Sequence, residues 1–423
     1  MPKTNRYDML KHDVIIAGAG PAGLSTALHL AQIAPDLVPR TLILEKARHP
    51  RPKLCGGGLL PDAEVVLRRL GLDMTEVPHY DVDWAHFDYD GKGMRMRGEK
   101  KGLFAFRTIR RDEFDAWLAG KARDRGIEIR EGVTVKAVRF GDDGVCVETD
   151  AGTFSAQVVV GADGSKGVVR RAVIPHEGQH VARLLEIVTE PKPEKSAHIQ
   201  ADSYFDFVVV PQGILGYVWD FPAVEKGKPV RVRGVYDSNV HAVKKDMALR
   251  DALADEFRRH GLELSDYGSR LRYHYKLEGH PIRWFEAKSV FSAPRVLLVG
   301  DAAGVDALYG EGISIALGYG DIAARAIQEA FAKKDFSFGN YKRAILRSEM
   351  GKALRRRAWF AKFFYGLRSA TIQRLVWQRL GPVIEWIVRT FLIEWARREE
   401  RFTLYPSPVS RTAACSIPVP AKK

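Results

Sequence analysis

The sequence predicts an α/β protein in three parts: a Rossmann-like domain assembled from separated segments, an inserted antiparallel sheet and a C-terminal helical region. Three observations carry this. HDVIIA at 12–17, GAGPAG at 18–23 and TLILEK at 41–46 form a strand, a glycine turn into a helix, and a second strand. Residues 180–235 alternate in short apolar pieces such as SYFDFVVVP and VRVRGVYD, the pattern of half-buried antiparallel strands. From about 340 to 401 the pattern is helical throughout.

The elements follow in order. Leu24 to Ile33 reads as the first helix. DWAHFDYD and GLFAF, around a GKG turn, are strand-like, and 110–126 is a helix with Phe114, Trp117, Leu118 and Ala122 on its apolar face. A β meander follows, ending in a buried strand at 157–160. RVLLVGDAAG at 295–304 is another buried strand entering a turn, and a helix runs from about Gly312 to Phe331. The boundaries expected are 10–180 with 280–335 for the first domain, 74–107 contributing to the substrate side, 181–279 for the inserted sheet, 336–402 for the helical region, and a disordered Pro/Ser-rich tail at 403–423.

The chain has 423 residues, a net charge of +14 and 46% hydrophobic residues. It is long enough for a large core. Cys55, Cys146 and Cys415 are too few and too scattered for a disulfide framework, which points to a cytoplasmic setting. No secretory signal or membrane-spanning segment is expected. Twelve histidines show no ligand spacing, so no metal site is expected.

GAGPAG places Gly18, Gly20 and Gly23 at GxGxxG spacing on a strand-to-helix turn. There a backbone free of side chains can approach a pyrophosphate at the positive end of the helix. Glu45 ends the next strand, 22 residues beyond Gly23, where a ribose-binding acid belongs. Asp163 follows a second buried strand in VVVGADGSKG, and Asp301 a third in LLVGDAAG. Gly312 and Ile313 then open a helix whose amides can stabilise negative charge.

GAGPAG, GADG and GDAAG, in this order, resemble the FAD-dependent oxidoreductases of the p-hydroxybenzoate hydroxylase fold over roughly residues 10–335. KLCGGGL at 53–59, GYVWDFP at 216–222 and GEGI at 310–313 are similar to the geranylgeranyl reductase family within them. The resemblance implies FAD as the cofactor and NAD(P)H or another reductant as electron donor. It also implies a glycine loop against the flavin. FAD contacts are then expected from Ala22, Glu45, Arg111, Val133, Asp163, Asp301, Gly312 and Ile313 beside the three glycines, with Cys55, Gly56 and Gly58 added. Tyr217, Trp219, Phe221 and Tyr309 are expected to line a lipophilic substrate, with Cys55 and Tyr217 as candidate proton donors. The implied activity is reduction of carbon–carbon double bonds in an isoprenoid. A monooxygenase or halogenase acting on a hydrophobic or aromatic metabolite is the alternative, and a non-catalytic flavoprotein scaffold a third.

Two features depart from the family. Ala307-Leu308-Tyr309 stands where a proline ordinarily precedes the GEG turn, and the C-terminal segment matches nothing in the pattern. Lys53 invites comparison with halogenases but reads as a solvated loop lysine. Residues 341–401 carry fifteen Lys/Arg against five Glu. Trp359, Phe363, Phe364, Leu367, Trp386 and Trp395 recur there at helical spacing, between Arg355–Arg357, Lys362 and Arg368. This predicts docking on an anionic membrane surface, with packing of the helices on their own domain or on a dimer partner as the alternative, and nucleic acid third.

Overall fold

The computed structural model describes residues 10–98, 105–175, 181–191, 202–259, 261–264 and 278–400. The expected disordered tail lies outside them, as does most of GLFAF.

The first strand, Leu10–Ala17, is the centre of the molecule because it is apolar on both faces. It pairs in parallel with Gly152–Gly161 on one side and Thr41–Glu45 on the other. Val296–Leu298 and Glu128–Glu131 extend the parallel sheet outward. All these strands point their C-terminal ends the same way, so the turns after residues 17, 45, 161 and 298 gather along one edge. Ligands of such sheets bind at that edge. Gly18 sits there at φ +109°, and a Cβ on it would lie 2.4 Å from the Ala162 carbonyl oxygen. Only glycine fits.

The helix Pro21–Ile33 is buried along its first ten residues, because the long helix Ile313–Lys333 covers the face turned away from the sheet. Ser25 donates to the Leu317 carbonyl at 2.7 Å, and Gly320 presses against Ser25. The termini of both helices therefore meet the same sheet edge.

A second sheet of seven strands runs Glu278–Arg283, Val181–Thr189, Lys228–Asp237, Gly216–Glu225, Ser203–Asp206, Trp84–Tyr89, Lys92–Arg97. It joins residues 84–97 to the 181–283 region through the parallel pair of 203–206 with 85–88. Its strands present Phe87, Phe205, Tyr217, Trp219 and Phe221 toward the first domain.

The C-terminal region is helical but broken. Helices Tyr341–Arg347, Glu349–Gly366, Ala370–Arg379, Gly381–Ile387 and Trp395–Glu400 are joined by short turns, with a π-helical stretch at Val388–Leu392. Ser348 caps the second by accepting from the Gly351 amide at 3.0 Å. The extended Ile393 and the left-handed Glu394, φ +65°, turn the chain into the last. These breaks let the segment wrap around the core. Trp395 is accordingly 1% exposed, not on an outer face as its spacing predicted.

One buried group has a readable pH signature. Asp88 is pushed up to about 7 by burial and by the facing carboxylates of Asp206 and Glu256. An acid with a raised folded pKa holds its proton more tightly folded than unfolded. Its stabilising effect is therefore complete near pH 4 and is lost as pH rises toward 7. Asp88→Asn is expected to raise stability by ~2 kcal/mol at pH 8 and by little at pH 4, measured as the unfolding midpoint at both values.

Candidate active site

A cavity of about 710 Å³ runs along the shared sheet edge and on beneath the second sheet. Every residue expected at the cofactor or substrate lines it except Gly23. Gly23 serves packing instead: a Cβ there would lie 2.1 Å from the Gly18 carbonyl oxygen and 3.1 Å from Ile16.

At one end, helix Pro21–Ile33 opens at Gly20 with no side-chain cap, which leaves its first amides for a ligand. The Glu45 carboxylate accepts from the Ala19 and Ala47 amides at 2.9 and 3.0 Å, so it is fixed at the mouth of that turn. Val133 donates its amide to the Glu45 carbonyl. Arg111 is held by both oxygens of the fully buried Asp115 at 2.8 Å. Burial opposes the guanidinium's charge and Asp115 more than restores it. Asp163 accepts from the Val169 amide at 2.8 Å, and burial lifts it to about 6.

Lys53 corrects the expectation of a solvated lysine. It lines the cavity, with its Nζ 2.5 Å from His280 Nε2. Burial depresses it, while Asp301 pulls the other way. Burial and the Lys53 charge together lower His280 to about 4, so the imidazole is neutral and accepts from the ammonium. A cation beside Arg111 and Asp301 suits a diphosphate.

In the middle, the Gly56 backbone lies under the second sheet. A Cβ on Gly56 would be 3.2 Å from Trp219 Nε1. Gly57, at φ +77°, gives its Cβ no room against the Ile109 carbonyl. Cys55 accepts weakly from the Gly57 amide at 3.4 Å. Trp219 lies flat across Gly234, whose missing Cβ would be 2.3 Å from the indole ring. Phe205 packs on Tyr217, Phe221 and Phe106 with ring centres 5.2, 4.9 and 6.2 Å away.

The residues present fit FAD. An uncapped helix start, a fixed carboxylate and two buried cations match a dinucleotide's ribose and diphosphate. The Trp219 indole N–H is buried without a hydrogen-bond partner, an open donor for a carbonyl such as those on a flavin's rim. Ile313–Lys333 likewise begins with no side-chain cap at Gly312.

The turn before that helix is the part that sequence reasoning missed. Four buried tyrosine hydroxyls donate to its carbonyls: Tyr319 to Gly304, Tyr236 to Ala307, Tyr365 to Leu308 and Tyr217 to Tyr309. Asp306 accepts from the Leu308 and Tyr309 amides, and Glu311 from the Ser314 amide. Arg357, from the C-terminal helix Glu349–Gly366, lies 3.5 Å from Asp306 and 3.1 Å from Glu311. It also donates to the Leu392 carbonyl at 2.7 Å. It is wholly buried and not part of the exposed basic face that its RRR context suggested. Tyr217 has thus committed its hydroxyl proton to a backbone carbonyl. Cys55 keeps its S–H among the described hydrogen bonds.

The "FAD binding domain" description matches residues 11–310. The chain belongs to that family. It is an FAD-dependent oxidoreductase of the geranylgeranyl reductase and monooxygenase-like group. It is similar to digeranylgeranylglycerophospholipid reductase 3 of Methanosphaera stadtmanae, 27% identical across 77% of this chain and 79% of the relative. It is also similar to menaquinone reductase of Mycolicibacterium smegmatis, 27% identical across 74% and 75%. A geranylgeranyl bacteriochlorophyll reductase-like protein from Thermoplasma acidophilum shares the fold, with a TM-score of 0.73 at 21% identity, covering 93% of this chain and 100% of that one.

Arg357→Met is expected to lower stability by about 3–5 kcal/mol, since it leaves Asp306 and Glu311 buried without their cation. The flavoprotein should lose FAD at a lower temperature than the unaltered one, followed by flavin fluorescence on heating.

Proposed function

We propose that the protein reduces carbon–carbon double bonds of an isoprenoid or related lipophilic substrate, with electrons from NAD(P)H or another reductant. The observation that carries this reading is the continuity of the cavity. The Cys55–Gly58 loop, beside the nucleotide end, opens directly onto the aromatic face formed by Phe106, Phe205, Trp219 and Phe221. Bound FAD, once reduced, supplies the hydride. This chain's residues hold an alkene against it and exclude water, because the middle of the cavity offers almost no hydrogen-bonding groups. Hydride reaches one alkene carbon and a proton the other. Cys55 is the nearer proton source, since Tyr217 is tied to the Tyr309 carbonyl. The relatives named for lipid and quinone reduction add support to a lipophilic substrate. The test is anaerobic: the FAD-loaded protein is chemically reduced and mixed with a geranylgeranylated lipid. Flavin re-oxidation in step with a product heavier by two hydrogens per bond is expected, and no re-oxidation would overturn the reading.

A monooxygenase or halogenase remains the second reading, favoured by one observation: Lys53 lines the cavity. Rapid oxygen-dependent turnover that Lys53→Ala abolishes while the variant retains its FAD would establish it.

We further propose a peripheral contact with an anionic bilayer on the cytoplasmic side. No helix among the described residues is long and apolar enough to cross a membrane. Trp359, Phe363, Val383 and Trp386 are nevertheless more than half exposed, within a C-terminal region, 341–401, that carries fifteen Lys/Arg against five Glu. Apolar side chains flanked by cations suit a bilayer better than a second protein core. Trp359→Ser with Trp386→Ser is expected to cut co-sedimentation with phosphatidylserine vesicles about tenfold, whereas unchanged binding would reject the contact.

A further inference from the structure

Four tyrosines spend their hydroxyls on carbonyls of the turn 304–310. A fifth, Tyr309, belongs to the turn itself, and its backbone is committed at both ends. The amide donates to Asp306 at 3.1 Å, and the carbonyl accepts from Tyr217. Gly310 follows at φ +66°, where a Cβ would lie 2.9 Å from the Tyr236 ring, so the chain cannot shift that way. The Tyr309 hydroxyl, by contrast, has no hydrogen-bond partner among the described residues and is not sealed from the cavity that the residue lines. Its ring meets Phe87 edge-on with centres 6.4 Å apart, and Phe87 stacks on Phe205 at 4.8 Å. The phenol therefore belongs to the aromatic part of the cavity and not to the nucleotide end. Burial and the nearby Asp306 raise it above the ordinary tyrosine value, so it stays a protonated donor at working pH. Tyr309 stands where a proline ordinarily precedes the GEG turn, which makes this donor a feature of this chain and not of the family pattern.

We propose that Tyr309 donates a hydrogen bond to a carbonyl oxygen conjugated with the double bond that is reduced, so that the substrate is an isoprenoid enone or a similar unsaturated carbonyl compound. An enclosed donor without a partner is costly, and a carbonyl acceptor removes that cost. A hydrocarbon leaves the phenol unpaired. An alcohol brings a proton of its own, for which the Phe87 and Phe205 rings offer no acceptor. The chemistry follows the same geometry. Hydride from the reduced cofactor forms a C–H bond at the β carbon, the alkene π pair moves toward the carbonyl, and negative charge gathers on the oxygen facing the phenol. A proton from Cys55 or water then forms the second C–H bond at the α carbon, and the carbonyl is restored. The substrate gains two electrons and the cofactor loses two. The inference rests on the double-bond reduction proposed above and adds the group beside that bond.

Binding and turnover are read separately, so the two readings can fail separately. Oxidised, FAD-loaded full-length protein is titrated with three ligands while the shift of the flavin absorbance band is followed. They are the methyl ketone of geranylgeranic acid, the alcohol made by reducing its carbonyl, and the matching hydrocarbon without oxygen. The ketone is expected to bind at least about fivefold more tightly than either of the others. Tyr309→Phe should erase that preference while flavin content and melting midpoint stay unchanged, because the hydroxyl bonds no protein group. In the second arm the protein is chemically reduced without oxygen and mixed with the ketone. Re-oxidation should yield the saturated ketone, heavier by two hydrogens, and Tyr309→Phe should slow it about a hundredfold. A Tyr309-dependent preference for the ketone without its reduction would support the carbonyl contact and sink the reductase reading instead. Alcohol or hydrocarbon binding as tightly as the ketone, or a preference that survives in Tyr309→Phe, would overturn the inference.

Discussion

The ion cluster of Arg357 with Asp306 and Glu311 is the constraint on which the site depends. Two carboxylates buried beside one another repel, and burial alone pushes Asp306 toward its neutral form. A neutral Asp306 would accept less well from the Leu308 and Tyr309 amides that shape the turn. Arg357 pulls Asp306 back toward the charged form without fully offsetting burial, and Asp306 and Glu311 in turn keep Arg357 charged. Each member is affordable inside the protein only because the others are present. The consequence is architectural: the C-terminal helices, which contribute no strand to either sheet, are wired into the turn that opens Ile313–Lys333.

The four tyrosines act on the same turn by a different force. A buried carbonyl without a donor costs about 1–3 kcal/mol, and this turn cannot supply donors of its own along a stretch with little regular structure. The hydroxyls come from three places: Tyr217 and Tyr236 from the second sheet, Tyr319 from the long helix, and Tyr365 from the C-terminal region. The turn is thereby a junction of all three parts of the molecule, and its position is fixed from three directions. Asp62 makes a similar junction on the other side of the C-terminal region, accepting from the Glu394 and Ala396 amides at 3.0 and 2.8 Å.

Much of this was legible beforehand. The glycine fingerprint, Glu45 and the strands before Asp163 and Asp301 are local patterns, and the sheet edge collects them because parallel strands must end together. The aromatic face was legible because it alternates along 216–222. What escaped was long-range. Arg357 sits in a run of three arginines, and such a run ordinarily faces solvent. Its position gave a signal, though: it occupies the buried stripe of Met350, Ala353, Leu354, Ala361 and Tyr365, where a cation needs partners. Asp306 and Glu311 carry no comparable mark, since nothing local says which distant helix will cover them. Lys53 was misread for the same reason, because His280 is 227 residues away.

Gly234 gives the second sheet a property that no side chain facing the cavity explains. With only hydrogen on that strand position, the Trp219 indole settles against the backbone and its N–H edge comes to rest beside Gly56. A methyl group at 234 would lift the ring off the strand and into the channel. The bore of the channel is thus inherited from a neighbouring strand. Variants with a narrower or wider passage for the chain can arise there while the residues that touch cofactor and substrate stay the same.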